Sequence, residues 1–188
     1  GKLVGGPESM LTREFWAKML AGTTASVCCA ECWSARQTPD ALPSAQDLKH
    51  SQSELRTEGY CHLPSSTRPE EARGLAAAIS TLVLHGWHPL WCCVCDEAWL
   101  WIARQRERLL AIASPDGDPS VQLNWDFMAW YIDPVVAGSG WSPHRDRHDA
   151  RVTIGGGTEY ATIWLALTDA TPSNGCMHAL PACFDPFY

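Results

Sequence analysis

The spacing of apolar positions changes half-way along the chain, and the two halves predict different elements. In the first half the period is helical. Leu11, Phe15, Trp16, Met19 and Leu20 form one stripe within residues 9 to 21, with Gly22 after them as a stop. From Arg36 to Ser53 the composition turns polar, which predicts a connecting loop with room for one short helix after Pro43. Glu58 to Pro64 predicts a short strand entered from the Gly59 turn. Ser65-Ser66-Thr67, Pro69 and Glu70-Glu71 combine cap residues, a first-turn proline and an acidic first turn, so a helix runs from there to about Leu84. His85 and His88 follow it. At that spacing both could ligate a metal, but a histidine at a helix C-terminus more often serves as a cap, and that is the assignment made. Asp96-Glu97 opens another helix to about Ile112, with Trp99, Leu100, Ile102, Ala103 and Leu109 available for burial and the arginines facing water. Ser114 to Asp118 is a turn.

The second half alternates instead. Val121 to Ile132 is rich in aromatic and β-branched residues and predicts a strand that stops at Asp133-Pro134. Arg151-Val152-Thr153-Ile154, a Gly155-Gly156-Gly157 turn and a strand from Tyr160 to Leu167 come later. On that strand Thr162, Trp164 and Ala166 share one face, and Ile163, Leu165 and Leu167 the other. Helices followed by strands predict an α+β chain built on an antiparallel sheet.

Composition narrows the function classes. With 188 residues, 46% hydrophobic and 19% charged, the chain can bury one substantial core. A net charge of −7 and a pI near 5.4 exclude broad electrostatic binding to nucleic acid or to an anionic membrane. No run of about 18 apolar residues predicts a membrane span. The nine cysteines are an odd number and cluster as Cys28, Cys29, Cys32 and Cys92, Cys93, Cys95, with Cys61, Cys176 and Cys183 scattered. That pattern suits a reducing compartment, hence an intracellular protein, cytoplasmic or organellar, better than a secreted disulfide framework. Gly1 in place of methionine and the ending Asp185-Pro186-Phe187-Tyr188 read as cut ends, which leaves any targeting segment out of view. Cys29-x-x-Cys32 is half of a zinc knuckle. Its nearest complements, Cys92, Cys93 and Cys95, are distant, so buried or unpaired thiols are the simpler reading and a non-catalytic zinc-binding or interaction module the alternative.

The chemistry concentrates in Trp141-Ser142-Pro143-His144-Arg145-Asp146-Arg147. On an extended segment His144 and Asp146 leave the backbone on the same side, and an imidazole with a carboxylate can grip one metal ion. Alone, His-x-Asp is a short pattern that chance produces. Joined to Thr162-Ile163-Trp164-Leu165-Ala166-Leu167-Thr168-Asp169 and Asn174-Gly175-Cys176, in that order, it resembles the phytanoyl-CoA dioxygenase family. A weaker similarity reaches back through Glu58-Gly59-Tyr60 and Asp96-Glu97-x-x-Trp99, so the resemblance covers roughly residues 55 to 188.

The resemblance implies a double-stranded β-helix, the cupin-like jelly roll of Fe(II)- and 2-oxoglutarate-dependent oxygenases. The division expected is an N-terminal helical and loop extension over 1–54 and a partial jelly-roll domain over 55–188. It places His144 and Asp146 on the family's metal-binding pair, and Thr162, Trp164 and Tyr131 as candidates to line the cosubstrate pocket. The implied activity is hydroxylation of a small or lipid-like organic substrate by O₂, with 2-oxoglutarate decarboxylated to succinate and CO₂. Trp130 and Tyr131 lie on opposite strand faces, so one at most points inward. Asn174-Gly175 is a tight turn that tolerates positive φ. Two departures stand out: Ala182-Cys183-Phe184-Asp185 replaces the Gly-Ser-His of many members, and the family's distal histidine and cosubstrate-binding arginine lie on strands later than Tyr188. His148 and His178 are poorly placed to substitute. Arg145 and Arg147 alternate away from the metal pair and are expected to form ion pairs. The chain therefore reads as a fragment with two of three protein ligands, or as a degenerate jelly roll that binds a ligand without chemistry.

Overall fold

A computed structural model of the chain describes residues 12–27, 43–65, 67–114, 117–118, 121–122, 124, 126–133, 135–136, 140–146 and 160–185. Among the described residues four α-helices occupy the first half: α1 (Arg13–Met19), α2 (Ala45–Glu58), α3 (Pro69–Leu84) and α4 (Asp96–Ala113). A 3-10 helix at Pro89–Val94 joins α3 to α4, and a short 3-10 turn at Ala182–Phe184 closes the described chain.

Local chemistry explains the boundaries. The Thr12 hydroxyl accepts from the Phe15 N–H at the start of α1, and Gly22 at φ +96° takes the chain away after it. Helix α2 begins at Ser44, whose hydroxyl accepts from the Asp47 N–H and donates to the Asp47 carboxylate. It runs 14 residues, much longer than the short helix expected there. It ends at Gly59, which at φ +78° donates its N–H to the Leu55 carbonyl. The glycine that suggested a turn into a strand is thus a helix C-cap, and residues 60–65 form no strand. Helices α3 and α4 match the sequence expectation within a residue or two. His85 is the C-cap of α3, while the His88 imidazole accepts from the Leu90 N–H at the head of the 3-10 helix.

The core unites α1, α3, the 3-10 helix and the start of α4. Trp16, Leu20, Leu75, Ala78, Ile79, Leu82, Cys92, Cys95 and Ala98 are all buried in it. Positions 75, 78, 79 and 82 recur at helical spacing, which is why α3 buries a continuous stripe. Phe15, Trp16, Trp87 and Trp91 meet ring to ring beside it. Polar groups lock the helices at their ends. Both oxygens of Glu97 accept from the Ser26 N–H at 3.0 Å, and Asp96 returns a backbone bond to the Ser26 carbonyl. The arginines of α4 do not all face water as expected. Arg108 is buried and donates to the Pro64 carbonyl and to Gln105, and Arg104 pairs with Glu71 at 2.8 Å. Arg108 thereby satisfies a carbonyl that the packing removes from water, and Arg104 offsets the charge of a partly covered carboxylate.

The described residues of the second half beyond α4 are extended without a paired strand. Among the described residues there is no β-strand, and pairing is limited to isolated bridges such as the antiparallel contact of Val27 with Cys95. The antiparallel sheet and jelly-roll core expected from the sequence are therefore not formed by the described residues. Alternation nevertheless decides burial. Ala161, Ile163, Leu165 and Leu167 are half-buried while Tyr160, Thr162, Trp164 and Ala166 are exposed. Ala129, Phe127 and Leu167 reach the helical core. A period of two sorts side chains between faces, but a strand also needs a neighbour in register to take its N–H and C=O groups. The expected neighbour, Arg151–Ile154 with its glycine turn, lies outside the described residues.

Candidate metal centre

The His-x-Asp segment is delivered by two turns. At Asp133 the expected strand stop is a turn in which the carboxylate accepts from the Val135 N–H and the carbonyl from the Val136 N–H. The Thr171–Cys176 turn then seats the far side. Gly175, at φ +81°, lies so close to Ile132 that an added Cβ would stand 2.5 Å from its Cγ2. The Asn174 side chain holds this turn by accepting from the Thr171 N–H and donating to the Asp169 carbonyl, both at 2.6 Å. Only Gly175 of the Asn-Gly pair uses positive φ.

His144 and Asp146 converge as the sequence spacing requires. Nε2 of His144 lies 3.3 Å from Oδ1 of Asp146, with both side chains nearly half exposed. The other atom of each group is already committed. Nδ1 of His144 stands 2.7 Å from the Ser142 carbonyl, an acceptor only, so this nitrogen carries the proton and donates. Oδ2 of Asp146 accepts from the Thr162 hydroxyl at 2.6 Å. In the neutral imidazole Nε2 then keeps a lone pair that faces Oδ1, and two such donors can share a cation. Two donors each about 2.1 Å from one divalent ion and at right angles sit about 3.0 Å apart. The observed separation fits that bite, and the hydrogen bonds behind it are of the kind that orient metal ligands.

The other candidates distribute around this pair. Thr162 joins it directly, as the hydroxyl that holds Asp146, and Trp164 lies two residues on along the same exposed face. Tyr131 is exposed, and of the Trp130–Tyr131 pair it is Trp130 that reaches the site, packing edgewise on Trp141 at 4.7 Å between centroids. Trp141 in turn meets the His144 ring at 5.6 Å. Arg145 turns the other way and forms an ion pair with Asp185. Arg147 and His148 lie outside the described residues, and His178 is engaged with Cys176 at 3.6 Å. Among the described residues no third His, Cys, Asp or Glu completes a metal cluster, at this site or elsewhere. Cys29 and Cys32 also lie outside the described residues. Of their possible complements, Cys92 is pushed up to about 12 by burial and by Cys93 beside it, and burial raises Cys93 as well. Both are therefore thiols in the metal-free chain.

Residues 94–182 match the phytanoyl-CoA dioxygenase (PhyH) family. This segment is a phytanoyl-CoA dioxygenase family domain. The PhyH domain so defined holds His144, Asp146, Thr162 and Trp164, and it starts at the last residue of the 3-10 helix, so α4 belongs to it and α1 to α3 precede it. The family is one of Fe(II)- and 2-oxoglutarate-dependent dioxygenases with a jelly-roll fold. No curated protein and no solved structure matches the chain. No helix among the described residues is long and apolar enough to cross a membrane.

Sequence reasoning gave no part in the site to Trp141 or Asp185. Trp141 opens the heptapeptide but has no partner legible nearby, since Trp130 is eleven residues back. Asp185 lies 40 residues from Arg145, and only charge complementarity links them in the sequence.

Proposed function

We propose that this PhyH domain carries an Fe(II)- and 2-oxoglutarate-dependent hydroxylase site, with His144 and Asp146 as two of the metal ligands. The observation that carries this reading is the 3.3 Å approach of Nε2 to Oδ1, with Nδ1 fixed on the Ser142 carbonyl and Oδ2 on Thr162. When bound, the metal and cosubstrate supply the family's oxidising chemistry, in which 2-oxoglutarate becomes succinate and CO₂ while O₂ hydroxylates an organic substrate.

The chain's own residues set the stage for it. The Ser142 carbonyl selects the tautomer that leaves Nε2 able to ligate. Thr162 keeps the Asp146 carboxylate from rotating, so that one oxygen stays beside the imidazole. Trp141 covers one side of the His144 ring, and with Trp130 packed on it gives the site an apolar wall suited to a small or lipid-like substrate. Thr162 and Trp164 are the residues proposed to line the cosubstrate side. Equilibrium dialysis of Fe(II) against the chain tests this reading. Iron bound by the wild type and lost in His144→Ala supports it, and iron that stays bound in that variant contradicts it.

A further inference from the structure

The segment that carries the metal pair is held from behind as well as from within. Arg145 sits between the two ligands, and in extended backbone its side chain departs on the opposite side from theirs. There it meets the carboxylate of Asp185, immediately after the 3-10 turn Ala182–Phe184. Both partners are largely covered, at 28% and 20% side-chain exposure. Ala182 is buried, and the turn packs against α2. A continuous path thus runs from the helical layer through the turn and Asp185 to Arg145, and Arg145 is one residue from each ligand. Asp185 lies beyond the family segment.

We propose that Asp185 is a positioning residue for the metal site: its ion pair with Arg145 anchors the 144–146 segment to the helical layer and keeps His144 and Asp146 aimed at one point. The inference rests on the metal assignment of that pair. A partly buried, charge-assisted arginine–carboxylate contact is directional enough to fix a short segment. Removing supports of this kind lowers metal affinity about 10- to 100-fold.

The test is titration of Co(II), a spectroscopically visible divalent probe, into the full chain and its variants, with circular dichroism to follow the helices. Asp185→Asn is expected to weaken Co(II) binding about tenfold or more with the helical signal retained, and Asp185→Glu to restore most of the loss. Arg145→Gln should reproduce the loss, and the double variant should add nothing to either single change. Wild-type affinity in Asp185→Asn, failure of Asp185→Glu to restore binding, or additive losses in the double variant would each overturn the anchor. Should Asp185→Asn fail to fold, Arg145→Gln with its own helical signal decides the matter alone. Absence of Co(II) binding by the wild type would overturn the metal assignment itself, and the inference with it.

Discussion

The helical half and the extended half solve the same problem to different degrees. Among the described residues between Arg13 and Ala113 the helices bury one apolar core and pair several of the polar groups beside it: Glu97 takes the Ser26 N–H, Arg108 takes the Pro64 carbonyl, and Trp101 donates to Thr67. From residue 126 onward Met128, Trp130, Tyr131, Trp141, Tyr160 and Trp164 stand exposed. The His144–Asp146 pair lies in that second region, on the face that the alternation leaves open. Stability and chemistry are therefore divided along the chain. The helices carry the folding free energy, and the extended half offers aromatic surface and a cation-binding pair.

Mutations should respect that division, and the largest effect belongs to the core. Leu82, fully buried in α3, is expected to cost about 2–5 kcal/mol when truncated to alanine. Trp164→Ala, although it removes a larger side chain, should cost about 0.5 kcal/mol, because nearly half of the residue is in water already. Urea melts of the two variants compare them directly, and equal losses would erase the contrast. Gly175→Ala comes next. It forces an L-residue to φ +81° and drives a methyl group against Ile132, so a loss of about 1–3 kcal/mol is expected, with amide exchange quickened locally around 171–176.

A smaller effect appears at alkaline pH. The Cys92 thiol ionises near its ordinary value of 9.0 when unfolded but only at about 12 when folded, burial being the main cause and Cys93 the second. Between those values the unfolded chain has released a proton that the native one keeps, so stability is complete below about pH 9 and declines as pH rises towards 12. Thermal melts at pH 8 and pH 10.5 should show a larger drop for the wild type than for Cys92→Ala. An equal drop in both would assign the alkaline sensitivity elsewhere.

What the sequence revealed follows from how local each signal is. Helix α3 was legible because proline, acidic first turn and apolar stripe are contiguous, and the Asp133 and Asn174-Gly175 turns because their side chains bond within a few residues. The length of α2 was missed because a polar surface helix shows little apolar period, and Gly59 serves equally well as a turn or a C-cap. Glu97 was read only as an opening residue of its helix, and Arg108 as solvent-facing. Their partners, Ser26 and Pro64, are 71 and 44 residues away, and no nearby residue announces them. The alternation of 160–167 showed which side chains turn inward, yet it could not supply a ladder partner. At the site, His144 and Asp146 could be read from their two-residue spacing, whereas Thr162 as the carboxylate's partner and Asp185 as the anchor depend on segments that meet only in the folded chain.

The central claim is that His144 and Asp146 share one divalent cation, and isothermal titration of Co(II) into the full chain tests it most directly. One saturable site is predicted in the wild type, weakened at least tenfold in His144→Ala and in Asp146→Asn and unchanged in Cys92→Ala. Binding that survives both of the first two substitutions, or that disappears with Cys92→Ala, would contradict it.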